Sequence, residues 1–594
     1  MSERNNEGYP ENEFSSAMNS NVKHRKKPKK KNMKKLLREA KHSGRGNPDI
    51  THEQLNYCYR VSQDLKQVEG EERELLADNF LKEVIAGDNV MKLACNRYVS
   101  RVLEDVLQYV GASGVISLGQ ILGKDLRSVC LDSFASHILQ RIMALSLQLV
   151  QKTVNQKNGE AIDVADTDRE LITEEERREL TSLLNKIGRF VYNNLDEFIC
   201  DTYGSHIFRT VLEICSGVRI DDSIKSSRKG NSSCAVPVDA SQILSIPLAL
   251  QELLGEIAIR LQKIPELSDI ITNESGSAAF QSAVFVLNGC GKEEGASLSK
   301  HILDNGFPAV KTHNTEASKF PSVFHSNAAV RLLEVIIACS KSELLTRIYV
   351  DYFKGHILEL VQDQYGNFAI QKLLLSWKEK DIFEELVSEV CKALPCAFSV
   401  KHFGVIHALA EACRKLASNQ GQCWKAVMKL LECYEPQDRQ VAAAACLLWL
   451  LQFDDYQEKQ SSGELPSVSL HGSLILQQFL QYNKTIKIVQ SLMSMNKAHL
   501  QLMACDPRGS HVIDSFAAST FIKPKNKENF IQKYKGIFVN LACSKHGSRS
   551  LEAMWSVSSV NLKTEICNEL VNEELKVKGN QFGAIIYSKF QRRF

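Results

Sequence analysis

Through most of residues 51–594 apolar positions recur three and four apart, as in HILELV (356–361), ELVSEVCKAL (385–394) and IKIVQSLMSM (486–495). That is the period of amphipathic helices. Proline is too scarce to break them, at 13 residues in 594. The chain is therefore expected to be all-α. Three polar stretches interrupt the pattern, at 151–176, 216–240 and 453–468, and read as surface loops between helices. The glycine-containing segment 111–125 also reads as a loop. It lacks the Gly-Lys-Ser/Thr ending of a phosphate cradle.

A second periodicity lies over the first. The string Asp/Asn-x-aromatic-Gly, then a small or polar residue, a His, Arg or aromatic, two apolar residues and a Gln, Glu or Arg, is clearest in DTYGSHIFR (201–209) and DQYGNFAIQ (363–371). With these as template, further copies are NRYVSRVLE (96–104), DSFASHILQ (132–140), NESGSAAFQ (273–281), FHSNAAVR (324–331), KHFGVIHAL (401–409) and SLHGSLILQ (469–477). DPRGSHVID (506–514), SKHGSRSLE (544–552) and NQFGAIIYS (580–588) complete eleven blocks, often 36 to 39 residues apart. A unit of that size cannot cover its own apolar face, so neighbours must stack; eleven in series make a curved α-solenoid, a superhelix of short three-helix repeats.

Within each block the small residue suits a tight entry into a helix, which is expected to start at the next residue, here called the inner position. The residue after it is the stacking position, and the one four along is the edge position. Inner and edge residues sit one turn apart on one helix face. Asn, Gln, Ser or Glu there can hydrogen-bond a nucleobase edge while a flat or cationic stacking residue covers its face.

These blocks resemble the RNA-reading helix of Pumilio (PUF) repeats, over roughly residues 75–594. The resemblance implies a uracil-reading triplet in Asn367, Phe368 and Gln371 and guanine-reading triplets in Ser100, Arg101, Glu104 and in Ser548, Arg549, Glu552. It implies an adenine-like triplet in Ser136, His137 and Gln140, and further RNA contacts at Ser205, His206, Arg209, Ser510 and His511. Other blocks depart from the pattern. They have Ala278, Ala328, Ile406, Leu474 or Ile585 at the stacking position and Arg209, Arg331, Leu409, Asp514 or Ser588 at the edge. Eleven degenerate repeats with inserts and a basic tail are most similar to the nucleolar protein nine family of Pumilio-like proteins. That resemblance implies a nuclear, nucleolar factor for precursor ribosomal RNA, single-stranded or partly structured, in small-subunit assembly. It further implies a monomer within a ribonucleoprotein, with preribosomal proteins as further partners. The sequence stops at FQRRF (590–594), so functions carried by a longer C-terminal tail are not expected.

Charge sharpens the picture. Residues 1–50 carry 13 Lys and Arg against 6 acidic residues, whereas 51–594 carry 60 against 64. The tail has almost nothing apolar to bury and is expected to be disordered, serving as an import signal, a phosphate-binding arm or both, or standing merely as a solvated tail. The organisation expected is the tail at 1–50, a cap with repeats 1–2 at 51–150, the insert 151–176, repeat 3 at 177–215, the insert 216–240, repeats 4–7 at 241–452, the insert 453–468 and repeats 8–11 at 469–594. The longest apolar run, VAAAACLLWLLQF (441–453), is too short for a bilayer and nothing resembles a signal segment, so neither membrane nor export is expected.

The 17 cysteines contain no CxxC pair and read as reduced core thiols. His402 and His407 are five apart, not four, so no metal is expected. His137, His206 and His511 share the stacking position without a partner at catalytic spacing, so no enzyme and no cofactor is expected. Two other readings stay open: a protein-binding solenoid of the HEAT or armadillo kind, and a Pumilio-type messenger RNA regulator.

Overall fold

A computed structural model of the chain describes residues 50–87, 89–157, 172–218, 246–291, 293–307, 320–380 and 382–591. The basic tail and most of the inserts at 151–176 and 216–240 lie outside these residues. Every regular element among the described residues is a helix.

Each of the eleven blocks falls on one helix: α1 (Val99–Val106), α2 (Ala135–Lys157), α3 (Gly204–Ser216), α4 (Glu274–Gly289), α5 (Asn327–Cys339), α6 (Gly366–Ser376), α7 (Phe403–Lys415), α8 (Leu470–Phe479), α9 (Ser510–Ala518), α10 (Gly547–Val557) and α11 (Gln581–Gln591). Consecutive members of this series pack against one another without a break from α1 to α11. The remaining helices form a second layer, in which Ala112–Leu122, Glu174–Asn193, Leu248–Leu261 and Glu293–His301 pack in turn. The core lies between the layers. In α6, for instance, Ala369, Ile370, Leu373 and Leu374 are buried, and together their removal from water stabilises the repeat by several kcal/mol, at about 25 cal/mol per Å² of apolar surface.

The entry to these helices is built the same way almost throughout. The side chain four residues before the inner position accepts a hydrogen bond from the N–H just before it: Asn96 from Val99 at 3.2 Å, Asp132 from Ala135 at 2.8 Å, Asp201 from Gly204 at 2.7 Å and Asp363 from Gly366 at 2.6 Å. This is N-capping, which satisfies a donor the helix leaves orphaned. The glycine is required because the preceding short helix passes directly beneath it. A Cβ on Gly366 would lie 2.7 Å from Leu360 Cδ2, and one on Gly547 would lie 2.7 Å from the Leu541 carbonyl. Several helices start at that glycine rather than at the inner residue expected.

Two expected loops are helical. Residues 112–122 form a helix despite their glycines, because Val115, Ile116, Leu118 and Leu122 bury one face of it. The stretch 453–468 contains the helix Phe453–Ser462, anchored by the buried Tyr456, whose hydroxyl meets His499 Nδ1 at 3.1 Å. Repeat 7 also departs from the three-helix unit. Its long helix Phe383–Ser399 runs almost directly into α7 through Lys401, a left-handed residue at φ 62°, with no short helix and no Asx cap between.

Candidate nucleic-acid interface

The inner residues are turned into the protein. Ser100, Ser136, Ser205, Asn367, Ser510 and Ser548 are all buried. Ser100, Ser205 and Ser548 donate to the carbonyls of Arg97, Thr202 and Lys545 in their own helix entry. Asn367 Nδ2 donates to the carbonyls of Asp363 and Gln364, at 2.9 and 3.1 Å. Its Oδ1 accepts from Gln371 Nε2 at 3.1 Å. The stacking residues face out: Arg101, His137, Phe368, His511 and Arg549 are exposed. The edge residues Glu104, Gln140, Gln371 and Glu552 are half-buried between them. Arg209 is instead buried, with Nε on the Ser205 carbonyl at 3.3 Å, and burial pushes its guanidinium down to about 10.

Edge residues are held by the next repeat. Gln140 Nε2 donates to the His206 carbonyl at 3.2 Å and to Thr210 Oγ1 at 2.9 Å. Glu552 pairs with Lys589 at 2.8 Å. Thr210 and Lys589 occupy the same place, five residues after the inner position. Burial raises the Glu104 carboxyl, while His137, Arg101 and Arg141 pull it down; Arg141 again holds that fifth place. His206 is pushed down to about 4, first by burial and then by Arg209 and His137, so it is a neutral ring at neutral pH. Successive repeats thus feel one another along a continuous ladder. His511 pairs with Asp514 at 3.3 Å, both exposed; this is a surface pair one helical turn apart, although no carboxylate partner was expected for that histidine.

The same contacts fix the register of two blocks that the sequence misaligns. In repeat 5 the cap is Ser326, whose hydroxyl accepts from the Ala329 N–H at 3.3 Å, so the inner residue is Val330. The buried inner residue of repeat 8, Ser473, donates to the carbonyl two before the next inner residue, that of Arg508 at 2.7 Å. Ser277 of repeat 4 donates in the same way to Ala328 at 2.6 Å, which again makes Val330 inner. The stacking and edge residues of repeat 5 are therefore Arg331 and Glu334, not Ala328 and Arg331. The error arises because Ser326, which is the cap, also fits the place of the small residue before the helix, and that sets the block three residues early.

In repeat 7 Ile406 and Leu409 are fully buried and are neither stacking nor edge residues. Gln371 lies against Gly404, where a Cβ would come within 2.6 Å of its Oε1, much as Gln140 lies on His206. The Phe403 ring, 6.1 Å from that of His471, repeats the contact between an inner residue and the residue two before the next one. The register is Phe403, Gly404 and His407, so repeat 7 has no stacking side chain.

Repeat 4 is closed. Its edge residue Gln281 is buried and donates to Ser277 Oγ at 2.9 Å. Among the described residues no cluster of His, Cys, Asp or Glu could hold a metal ion, none of the cysteines forms a disulfide, and no helix is long and apolar enough to cross a membrane.

A two-layered helical solenoid with one repeating, polar inner ladder is a PUF-repeat architecture. Residues 88–585 match the family model of the NOP9-like PUF repeat domain, and the chain belongs to that family. Its solenoid is of the PUF kind, not the HEAT or armadillo kind. Nucleolar protein 9 of Mus musculus is 27% identical over 557 residues, covering 90% of this chain and 85% of the relative. Pumilio homolog 23 of Arabidopsis thaliana is 22% identical over 547 residues, covering 89% and 69%. A solved structure described as APUM23-GGAAUUGACGG superposes with a TM-score of 0.72 at 20% identity, over 91% of this chain and 97% of that one.

Proposed function

We propose that this chain binds precursor ribosomal RNA, single-stranded or partly structured, along the concave face of its solenoid, and serves small-subunit assembly in the nucleolus without a catalytic step. The observation that carries this reading is the ladder. Exposed Arg101, His137, Phe368 and Arg549 alternate with half-buried Glu104, Gln140, Gln371 and Glu552, one flat or cationic face and one hydrogen-bonding edge per repeat, as splayed bases require. The name Nucleolar protein 9 among the relatives supports the compartment, and the RNA sequence attached to the APUM23 structure supports the ligand class. The repeats act together with preribosomal proteins in a ribonucleoprotein, each chain as a monomer.

The test is ultraviolet cross-linking in cells with sequencing of the trapped RNA. The wild type is compared with a chain carrying Arg101→Ala, Phe368→Ala and Arg549→Ala. Peaks on small-subunit precursor RNA that the variant loses are expected. Peaks confined to messenger RNA would replace the assembly reading with a regulatory one, and no specific peaks would end the RNA reading.

A further inference from the structure

Away from the ladder, repeats 9 and 10 open with two helices, Ile486–Ser494 and Pro524–Gln532, that pack side by side. They follow α8 and α9 after short connections, and the connections are tied together. Ser519 donates to the Leu480 carbonyl at 2.7 Å, the Phe521 N–H donates to Ser519 Oγ at 3.3 Å, and Thr485 Oγ1 donates to the Phe521 carbonyl at 3.4 Å. Lys527 Nζ adds a bond of 2.6 Å to the Ala517 carbonyl. Phe521 is thereby set beside the start of the helix that Ile486 opens.

This fixed backbone holds two large apolar side chains at the surface, Ile486 at 66% exposure and Phe521 at 47%. A single exposed apolar residue is ordinary. A neighbouring pair with a charged surround is the build of an anchor site in a protein interface. The surround here is cationic. Lys484, Lys487, Lys523 and Lys525 are exposed and have no carboxylate partner among the described residues, and neither 481–505 nor 515–527 contains an acidic residue. The other charged groups nearby are engaged. Lys497 donates to the Lys535 carbonyl, Lys535 pairs with Glu565, and Lys563 lies over the Trp555 ring. Glu528 accepts from Ser559, and Glu569 accepts from the N–H groups of Gly536 and Phe538.

We infer that this rim of repeats 9 and 10 docks an acidic segment of a partner protein, with one apolar side chain seated on Ile486 and Phe521 and flanking Asp or Glu carboxylates on the four lysines. The chemistry favours a peptide over RNA. Ile486 has no π-face on which a base could stack, and all four cations are lysine point charges rather than the guanidinium forks that match phosphate best. Around an apolar anchor such charges govern encounter rate and choice of partner. The inference deepens the reading that the chain works beside preribosomal proteins, and it is independent of the base-facing ladder.

The experiment is fluorescence anisotropy on the full-length chain with pools of labelled peptides about a dozen residues long. Each pool has randomised Asp and Glu flanks around a central Phe, Leu or Ser. The Phe and Leu pools are expected to bind the wild type about tenfold more tightly than the Ser pool. Phe521→Ser and Ile486→Ser should each largely erase that ratio. Lys484→Glu with Lys523→Glu should weaken all three pools about tenfold and steepen no salt dependence. The melting temperature and RNA affinity of these surface variants should match the wild type. The basic tail, unchanged throughout, cannot produce a difference between pools. Equal binding of the Phe and Ser pools would overturn the proposal, as would an advantage that survives Phe521→Ser. Rim variants that lose RNA affinity instead would assign the surface to RNA and overturn it too. A wild type that binds no RNA yet keeps the peptide ratio would overturn the RNA reading alone.

Discussion

Repeats 4 and 6 carry the same edge residue and behave differently. In repeat 6 Gln371 is half-buried beside the exposed Phe368 and lies over Gly404 of the next repeat. In repeat 4 Gln281 is buried, donates to Ser277, and Ser277 donates onward to the Ala328 carbonyl. One hydrogen-bond chain thus seals repeat 4 to repeat 5. Both glutamines donate to their own inner residue, Gln281 to Ser277 and Gln371 to Asn367, so the same residue making the same bond is buried in one repeat and half-buried in the other, and its own identity does not decide.

The largest expected effect comes from removing what repeat 4 lacks. Phe368→Ala should weaken RNA binding by about 1–3 kcal/mol, the worth of one base–aromatic stack, measured by anisotropy with a labelled RNA recovered from the cross-linking. The reciprocal change, Ala278→Phe, should gain little because Gln281 stays closed. A gain matching the loss at Phe368 would show that stacking alone opens a repeat.

The next effect is on stability against pH, at Glu334, the edge residue just after the seal. Burial raises Glu334 to about 7, with Lys372 and Arg331 pulling the other way. The folded state therefore holds this proton more tightly than the unfolded chain does. Its contribution to stability falls as pH rises from about 4.5 through about 7, then levels off. Glu334→Gln should remove that component, so wild type minus variant in denaturant midpoints should slope downward over this window; a flat difference would contradict it.

Smaller still is Gly404→Ala. The new Cβ meets the mobile end of Gln371, so RNA affinity should fall severalfold, by about 1 kcal/mol, while the melting temperature barely moves. Smallest is Gln281→Leu in the sealed repeat. Ser277 keeps its bond to Ala328, so stability should change by less than about 1 kcal/mol and RNA affinity by less than twofold. A large loss of affinity would mean that repeat 4 opens to bind.

Much of this architecture is legible in the chain. Where a block begins with Asp or Asn and carries Gly three residues later, as at Asp201 and Gly204 or Asp363 and Gly366, the cap and the close approach of the preceding helix leave one register. Repeat 5 replaces that pair with Ser326 and Ala329, and taking Ser326 for the small residue sets the block three residues, nearly one helical turn, too early. Repeat 7 has no cap to read, because its chain arrives from a long helix through the left-handed Lys401. His407, at the edge there, was visible only as half of a failed metal pair. The inward turn of Ser100, Ser548 and Asn367 is fixed by their bonds to carbonyls of the helix entry, which compete with a base for the same polar groups and which residue type alone does not decide.

The length of α2 has a practical consequence. It continues to Lys157, 17 residues past Gln140, so at about 1.5 Å per residue its far end lies roughly 25 Å from the ladder. The next helix begins with its own capping box, Thr173 and Glu176 each satisfying the other. The span between Lys157 and Thr173 is therefore a natural splice point. A fluorescent protein or an affinity handle inserted there would leave the side chains of the ladder where they are.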